Sequence, residues 1–190
     1  MKVYKLFGLI VLLILFSCEG GSTIEDPEPT QRSANDVIND FKNLTINPGV
    51  NDLRLESLER GVFWNFRVIG PTAASEGNKR PLVITFHGAS GGSTTAHQHT
   101  DCYDEPGLAE LDAFIIAPNA GLSEWYETRN QQMVLALLDL AKTNWFVDTT
   151  KVLATGYSNG GNASWFYSDF YPEQFTAAIP MASSYNPERQ

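Results

Sequence analysis

The hydrophobic pattern of the chain alternates short apolar runs with longer stretches of helical periodicity. Continuous apolar runs bounded by polar or turn-forming residues are typical of strands within a buried sheet. Such runs predict strands at residues 81–86, 113–117, 152–155 and 177–182. Two further strands, residues 53–58 and 62–69, flank Glu59-Arg60-Gly61 and are predicted to form an antiparallel hairpin.

The stretches between these runs predict helices. Residues 129–146 place a wide apolar face at helical spacing, formed by Met133, Val134, Leu137, Leu138, Leu140 and Ala141. Residues 161–171 form a second helix that Pro172 helps to end, and residues 36–50 hold a weaker amphipathic stretch. Apolar strands that alternate with helices indicate right-handed crossovers and a mostly parallel sheet. The pattern therefore predicts an α/β fold.

The start of the chain differs in composition from the rest. Lys2 and Lys5 precede an apolar run, residues 6–16, that is too short to span a bilayer comfortably. The run ends in Leu15-Phe16-Ser17-Cys18, which resembles the lipobox at which bacterial lipoproteins are cleaved and lipidated on cysteine. An ordinary secretory signal with a chance cysteine is the alternative.

We therefore predict a signal peptide over residues 1–17, a lipidated Cys18 with a flexible linker over residues 18–36, and a folded domain over residues 37–190. The linker is rich in Pro, Gly and acidic residues, with almost no apolar side chain. The lipid would hold the protein at a bacterial membrane, outside the cytoplasm. With Cys18 lipidated, Cys102 has no disulfide partner within the chain and is predicted to be a structural thiol.

Composition and charge narrow the classes of partner. A hydrophobic fraction of 43% and a charged fraction of 18% fit one globular domain with a buried sheet. The net charge of −9 argues against nucleic-acid binding and against electrostatic docking on anionic lipid. The run from His97 to Cys102 includes an H-x-H pair, His97 and His99, which is weak evidence for a metal without further ligands; a polar loop near the substrate cleft is the alternative. We predict no metal and no cofactor.

The strongest chemical signal is Gly156-Tyr157-Ser158-Asn159-Gly160, which reads G-x-S-x-G. It lies directly after a predicted strand and directly before a predicted helix, the setting of a nucleophile elbow. Ser158 is therefore the predicted nucleophile, and the N–H of Asn159 one predicted donor to the oxyanion of the reaction. The alternative is a glycine-rich turn whose serine only caps the helix.

A second loop is predicted to complete the oxyanion site. The strand at residues 81–86 is followed by His87-Gly88-Ala89-Ser90-Gly91-Gly92, whose small residues let the backbone approach a substrate oxygen. We predict the N–H of Gly88 or Ala89 as the second donor, and His87 as a supporting residue behind the site. A plain turn at the strand end is the alternative. Trp125 and Tyr126 either line the substrate cleft or pack on the surface.

Three segments resemble the polyhydroxybutyrate depolymerase and feruloyl esterase group of α/β-hydrolases. They are Leu82-Val83-Ile84-Thr85-Phe86-His87-Gly88, the stretch from Val147-Asp148 through Lys151-Val152 to Ser158-Asn159-Gly160-Gly161, and Tyr171-Pro172 through Phe175 to Ala178. The resemblance covers roughly residues 60–185. It implies a three-layer α/β-hydrolase sandwich with a mostly parallel sheet. It also implies secreted esterases that act on acylated polysaccharides, polyhydroxyalkanoates or related esters.

The chain departs from this group after the nucleophile. The group places an acid after the next strand and a histidine near the C-terminus, but His87, His97 and His99 all precede Ser158. Asp169 follows Ser158 but lies in the predicted helix. We therefore expect an incomplete domain, truncated after the strand that follows the nucleophile helix.

Three hypotheses about function remain open at this point. The first is a serine esterase whose remaining strands lie outside this sequence. The second is a chain without turnover, either an inactive fragment or a lipoprotein that binds acylated carbohydrate. A serine peptidase of the oligopeptidase type is a lesser third hypothesis.

Overall fold

The structure, a computed structural model, describes residues 31–184. The predicted signal peptide, the lipid site at Cys18 and most of the predicted linker lie outside the described residues. Within them, six strands form one sheet in the order β1-β2-β4-β3-β5-β6. The strands are β1 (Gly49–Glu56), β2 (Phe63–Gly70), β3 (Arg80–Phe86), β4 (Phe114–Pro118), β5 (Val147–Tyr157) and β6 (Ala177–Met181).

The sheet is antiparallel at one end and parallel at the other. β1 and β2 form the predicted hairpin, and β2 also runs antiparallel to β4. β4, β3, β5 and β6 are parallel to one another. β3 and β5 lie side by side, with Phe86 opposite Gly156, so their carboxyl ends place the glycine-rich loop beside the nucleophile turn. The predicted mostly parallel α/β sheet is confirmed.

The longer helices cover one face of the sheet. They are α1 (Ala34–Lys42), α3 (Thr128–Asn144) and α4 (Asn159–Phe170). Their buried side chains join alternate residues of the strands in one core, in which Phe41, Phe66, Ile84 and Leu137 are fully buried. Only alternate strand residues join this core, because every second side chain of a strand points to the same face of the sheet.

The other face carries much less structure within residues 31–184. The short helix α2 (Asp104–Leu108) and a 3₁₀ turn (Ala109–Leu111) lie there, and Leu108 packs against a small cluster of Val83, Ala113 and Ile115. The predicted three layers are therefore strongly unequal in the described part of the chain. No helix in that part is long and apolar enough to cross a membrane.

The folded domain begins before the predicted boundary at residue 37. Ser33 and Asp36 form a capping box: Ser33 Oγ accepts from the Asp36 N–H, and the Asp36 carboxylate accepts from the Ser33 N–H. This cap satisfies backbone donors that a helix start otherwise leaves free, so α1 begins at Ala34 within the predicted linker. The N–H of Arg32 also donates to Leu58 O, which ties this segment to the end of the β-hairpin.

α3 ends two residues earlier than predicted. Trp145 has an extended backbone, and its ring stacks between Phe41 and Phe114 with centroid distances of 5.0 Å to each. Trp145, at the end of the predicted helix, therefore packs in the core beyond the end of α3. β5 in turn begins at Val147, well before the predicted start at residue 152.

Candidate active site

Ser158 lies on a strained turn between β5 and α4. Its φ of 56° and ψ of −117° are rarely adopted by residues other than glycine. A Cβ at Gly160 would overlap the Phe86 carbonyl oxygen, and one at Gly156 would overlap Gly160. The Ser158 N–H donates to Met181 O at 2.9 Å, which fixes the turn to the end of β6. This is the geometry of a nucleophile elbow.

The hydroxyl of Ser158 is half-buried. Within residues 31–184, Ser158 Oγ has no hydrogen-bond partner. A serine that only capped the helix would accept a bond from an N–H one turn on, and no such side-chain bond is present at the start of α4 in the described structure. The observed orientation therefore does not match the capping alternative.

The glycine-rich loop after β3 approaches this serine closely. A Cβ built on Gly88 would lie 3.7 Å from Ser158 Cβ and 3.4 Å from Tyr157 O. In the described part of the chain, the N–H groups of Gly88, Ala89 and Asn159 donate to no protein acceptor. Three free backbone donors beside one unpaired serine provide what an oxyanion site requires. The assignment of these donors stays a prediction.

His87 holds two loops together. Its Nδ1 lies 2.7 Å from Gly88 O and its Nε2 accepts from the Ala120 N–H at 3.1 Å. Both contacts are satisfied by the neutral ring protonated on Nδ1, and burial lowers the pKa of His87 below its ordinary value. With both nitrogens occupied, the ring has no free position from which to accept the Ser158 proton.

The other histidines are also separate from Ser158. Buried His97 lies with its Nδ1 2.9 Å from Asn119 Nδ2, and burial lowers its pKa. His99 is exposed, and neither ring forms a hydrogen bond to Ser158 within residues 31–184. No group of three or more potential ligand residues there is arranged to hold a metal ion. His97 thus has a structural contact in the loop.

Trp125 and Tyr126 have different environments although they are neighbours. Trp125 is only 1% exposed and borders the cleft, and its Nε1 donates to His87 O at 3.0 Å. The Trp125 carbonyl accepts from Tyr167 Oη on α4 at 2.9 Å. Tyr126 is 37% exposed and packs against Phe166 on the surface of α4. Trp125 therefore connects the loop after β4 with both walls of the site, and Tyr126 packs on the surface.

A cleft of about 240 Å³ opens between the two loops and the start of α4. Its wall includes residues 87–92, residues 120–125 and Asn159. Glu124 is one of these residues, and its Oε2 accepts from Asn159 Nδ2 at 2.9 Å. The sequence pattern does not identify Glu124, because its partner lies 35 positions away and the segment between β4 and α3 has no periodicity. A polar residue after the carboxyl end of a central strand was the only available signal.

Several solved structures have a fold similar to that of this chain. A thermostable esterase matches with a TM-score of 0.62 and 22% identity, covering 79% of this chain and 42% of the esterase. A fluorophosphonate-binding serine hydrolase from Staphylococcus aureus matches with a TM-score of 0.59 and 23% identity, covering 72% of this chain and 58% of the hydrolase. A ferulic acid esterase from Anaeromyces mucronatus matches with a TM-score of 0.55 and 12% identity, covering 83% and 64%.

The chain has the α/β-hydrolase fold of these esterases. It spans about half the length of these matched structures. No family model matches the sequence, and no curated protein matches it. The predicted resemblance is thus confirmed at the level of the fold.

Proposed function

We propose that the protein is a serine ester hydrolase that works through an acyl-Ser158 intermediate. The observation that supports this most directly is the Ser158 hydroxyl on a strained elbow, which has no hydrogen-bond partner within residues 31–184 and lies beside the N–H groups of Gly88, Ala89 and Asn159, which likewise donate to no acceptor there. Strain of this kind persists where the surrounding structure holds a residue for a function. The esterase names of several structures with the same fold are consistent with this chemistry.

The proposed reaction has two steps. Ser158 Oγ attacks the ester carbonyl carbon while its proton passes to a base, and the resulting oxyanion accepts hydrogen bonds from the backbone donors. The bond to the alcohol oxygen then breaks, and the alcohol leaves with that proton. Water attacks the acyl-serine in the same way, releases the carboxylic acid and restores the hydroxyl of Ser158.

None of the histidines in residues 31–184 forms a hydrogen bond to Ser158 as the structure places them. His87 and His97 are engaged with Ala120 and Asn119, and His99 forms no bond to Ser158. We therefore propose that the base and its acid come from residues outside this described part of the protein. Loss of the base costs about a million-fold in rate in a serine protease, and roughly 10³–10⁴ over water remains.

A chain without turnover is the second candidate, favoured by the absence of a base near Ser158 within the described residues. Such a chain would bind acylated carbohydrate weakly or have no activity.

For the first candidate we propose esters of the feruloyl-polysaccharide, acetyl-polysaccharide or polyhydroxyalkanoate type as substrates. Ferulic acid esterases and an acetyl xylan esterase share the fold, which supports the first two. A peptidase of related fold is a lesser candidate. We also propose export and lipid attachment through Cys18.

Covalent labelling with a fluorophosphonate tests the proposal. The gene product purified from its source organism should gain one phosphonyl group on the peptide that contains Ser158, and Ser158→Ala should abolish the label. Hydrolysis of p-nitrophenyl acetate by the same samples separates the candidates: turnover lost in Ser158→Ala supports the esterase. Labelling of a different residue, or no label at all, would contradict the acyl-serine mechanism. Absence of both label and turnover would support the second candidate.

A further inference from the structure

Among the described residues that line the cleft beside Ser158, one carries a formal charge. That charge is the carboxylate of Glu124, since the other lining side chains are neutral or apolar and the pKa of His87 is lowered by burial. The carboxylate forms no ion pair with any Lys, Arg or His in residues 31–184. An unneutralised carboxylate in a partly enclosed cleft acts on any group that enters it.

The backbone of Glu124 is held on both sides. Its N–H donates to Glu127 Oε1 at 3.1 Å, and its carbonyl accepts from the buried Asn130 Nδ2 at 3.0 Å. The next residue, Trp125, is fixed to His87 and Tyr167. The side chain of Glu124 thus extends from a segment anchored at several points.

The two oxygens of the carboxylate have different roles. Oε2 accepts from Asn159 Nδ2, which belongs to the residue directly after the nucleophile. Oε1 has no hydrogen-bond partner within residues 31–184. One oxygen is therefore occupied at the start of α4, while the other remains free to accept a hydrogen bond from a molecule in the cleft.

We infer that Glu124 is the specificity-determining residue of this cleft, where it accepts a hydrogen bond from a hydroxyl or ammonium group of the substrate and disfavours esters that carry a carboxylate. The inference rests on the proposed function, because it concerns the substrate of the same site. Glu124 is exposed, so its effect is the modest repulsion of a like charge in the cleft, together with the bond that its free oxygen can accept. The ester would be neutral and hydroxylated, or cationic.

Three boronic acids provide the test, because boron forms a reversible bond with an active-site serine and leaves a ring in the cleft. They are phenylboronic acid, 4-carboxyphenylboronic acid and 4-(aminomethyl)phenylboronic acid. Dissociation constants would be measured by calorimetry at pH 7.5 for the wild-type chain and for Glu124→Gln. Gln retains an oxygen that can accept from Asn159, so this substitution removes the charge and keeps the bond.

We expect Glu124→Gln to strengthen binding of the carboxyphenyl compound about fourfold and to weaken binding of the aminomethyl compound about fourfold, with little change for phenylboronic acid, because the carboxylate is exposed and screened by solvent. Glu110→Gln is the matched control. It removes one exposed carboxylate outside the cleft lining and should leave all three constants within about 1.5-fold.

Two controls separate the inference from the proposed function. Ser158→Ala should abolish binding of all three compounds; if it does not, or if the wild-type chain binds none of them, the proposed function is wrong and the inference falls with it. If binding depends on Ser158 but Glu124→Gln shifts the three constants equally or leaves them unchanged, the proposed function stands and the role of Glu124 is refuted. The same result from Glu110→Gln as from Glu124→Gln would also refute it.

Discussion

At the scale of single residues, the nucleophile elbow requires glycine at a position where a Cβ would overlap neighbouring backbone atoms. A Cβ on Gly160 would overlap the Phe86 carbonyl oxygen and approach His87 O to 2.7 Å. These are backbone atoms of β3 and the glycine-rich loop that follows it, so they cannot move without disturbing the sheet. We expect Gly160→Ala to lower the free energy of unfolding by about 3 kcal/mol, measured by urea denaturation.

Gly77 is the matched control for this substitution. A Cβ there would meet no atom within 4 Å, and its φ is not positive. Gly77→Ala should therefore change the free energy of unfolding by less than about 0.5 kcal/mol. Equal effects of the two substitutions would show that close packing at Gly160 is not what the elbow requires.

Residues of the site differ in how far the sequence reveals them. Gly156, Ser158 and Gly160 are neighbours in the chain, so one motif between an apolar run and a helical pattern is enough to predict the turn. Glu124 and Asn159 meet only because β4 and β5 are brought to the same edge of the sheet on either side of β3. Local patterns carry no information on a contact of that kind, and the free Ser158 hydroxyl likewise becomes visible only in the structure.

At the scale of elements, the same distinction separates β3 from α2. Apolar runs buried on both faces predict β3 and β4 well, because burial selects the residue types. α2 is five residues long and contains Pro106 and Gly107, so no helical period could identify it. It is held by a tertiary contact instead: Thr85 Oγ1 of β3 donates to the buried Asp104 carboxylate at 2.6 Å.

This contact makes the docking of α2 depend on pH. Burial raises the pKa of Asp104 from 3.8 to about 6, opposed by the bond from Thr85. A pKa raised on folding means that the folded state is penalised as the carboxylate ionises, so this part of the stability is lost as pH rises from about 4 to above 6. We expect Asp104→Asn, whose Oδ1 can still accept from Thr85, to be more stable than wild type at pH 8 by up to about 3 kcal/mol, and similar at pH 4.

Urea denaturation at both pH values measures this difference. Glu110→Gln, on the exposed 3₁₀ turn that follows α2, removes one negative charge without a buried carboxylate and should give nearly the same change at pH 4 and pH 8. An Asp104→Asn variant that is less stable than wild type at pH 8 would show that the ionised carboxylate stabilises α2.

At the scale of the whole molecule, the sheet is covered unequally. Beyond α2, the lightly covered face leaves Tyr157 and Ile179 about half exposed, and β6 is the edge strand of the described sheet. Apolar positions exposed together on such a face are typical of surfaces that another segment or partner covers. This agrees with a chain that spans about half the length of structures with the same fold.

At the scale of the whole molecule, the proposed lipid attachment at Cys18 would set where the protein lies in the cell. Removal of residues 1–17 takes Lys2 and Lys5 from the 13 basic residues, so 11 basic residues oppose 22 acidic ones, and this charge is repelled by anionic lipid. A lipidated cysteine would overcome that repulsion, since each buried CH₂ contributes about 0.8 kcal/mol. We expect the protein expressed in a bacterium to incorporate labelled palmitate and to stay with membranes after a high-salt wash, and Cys18→Ser to lose both properties.

Cys102→Ser is the matched control, because Cys102 is exposed and outside the lipobox, and it should behave as wild type. Palmitate incorporation that persists in Cys18→Ser would show that this cysteine is not the lipid site.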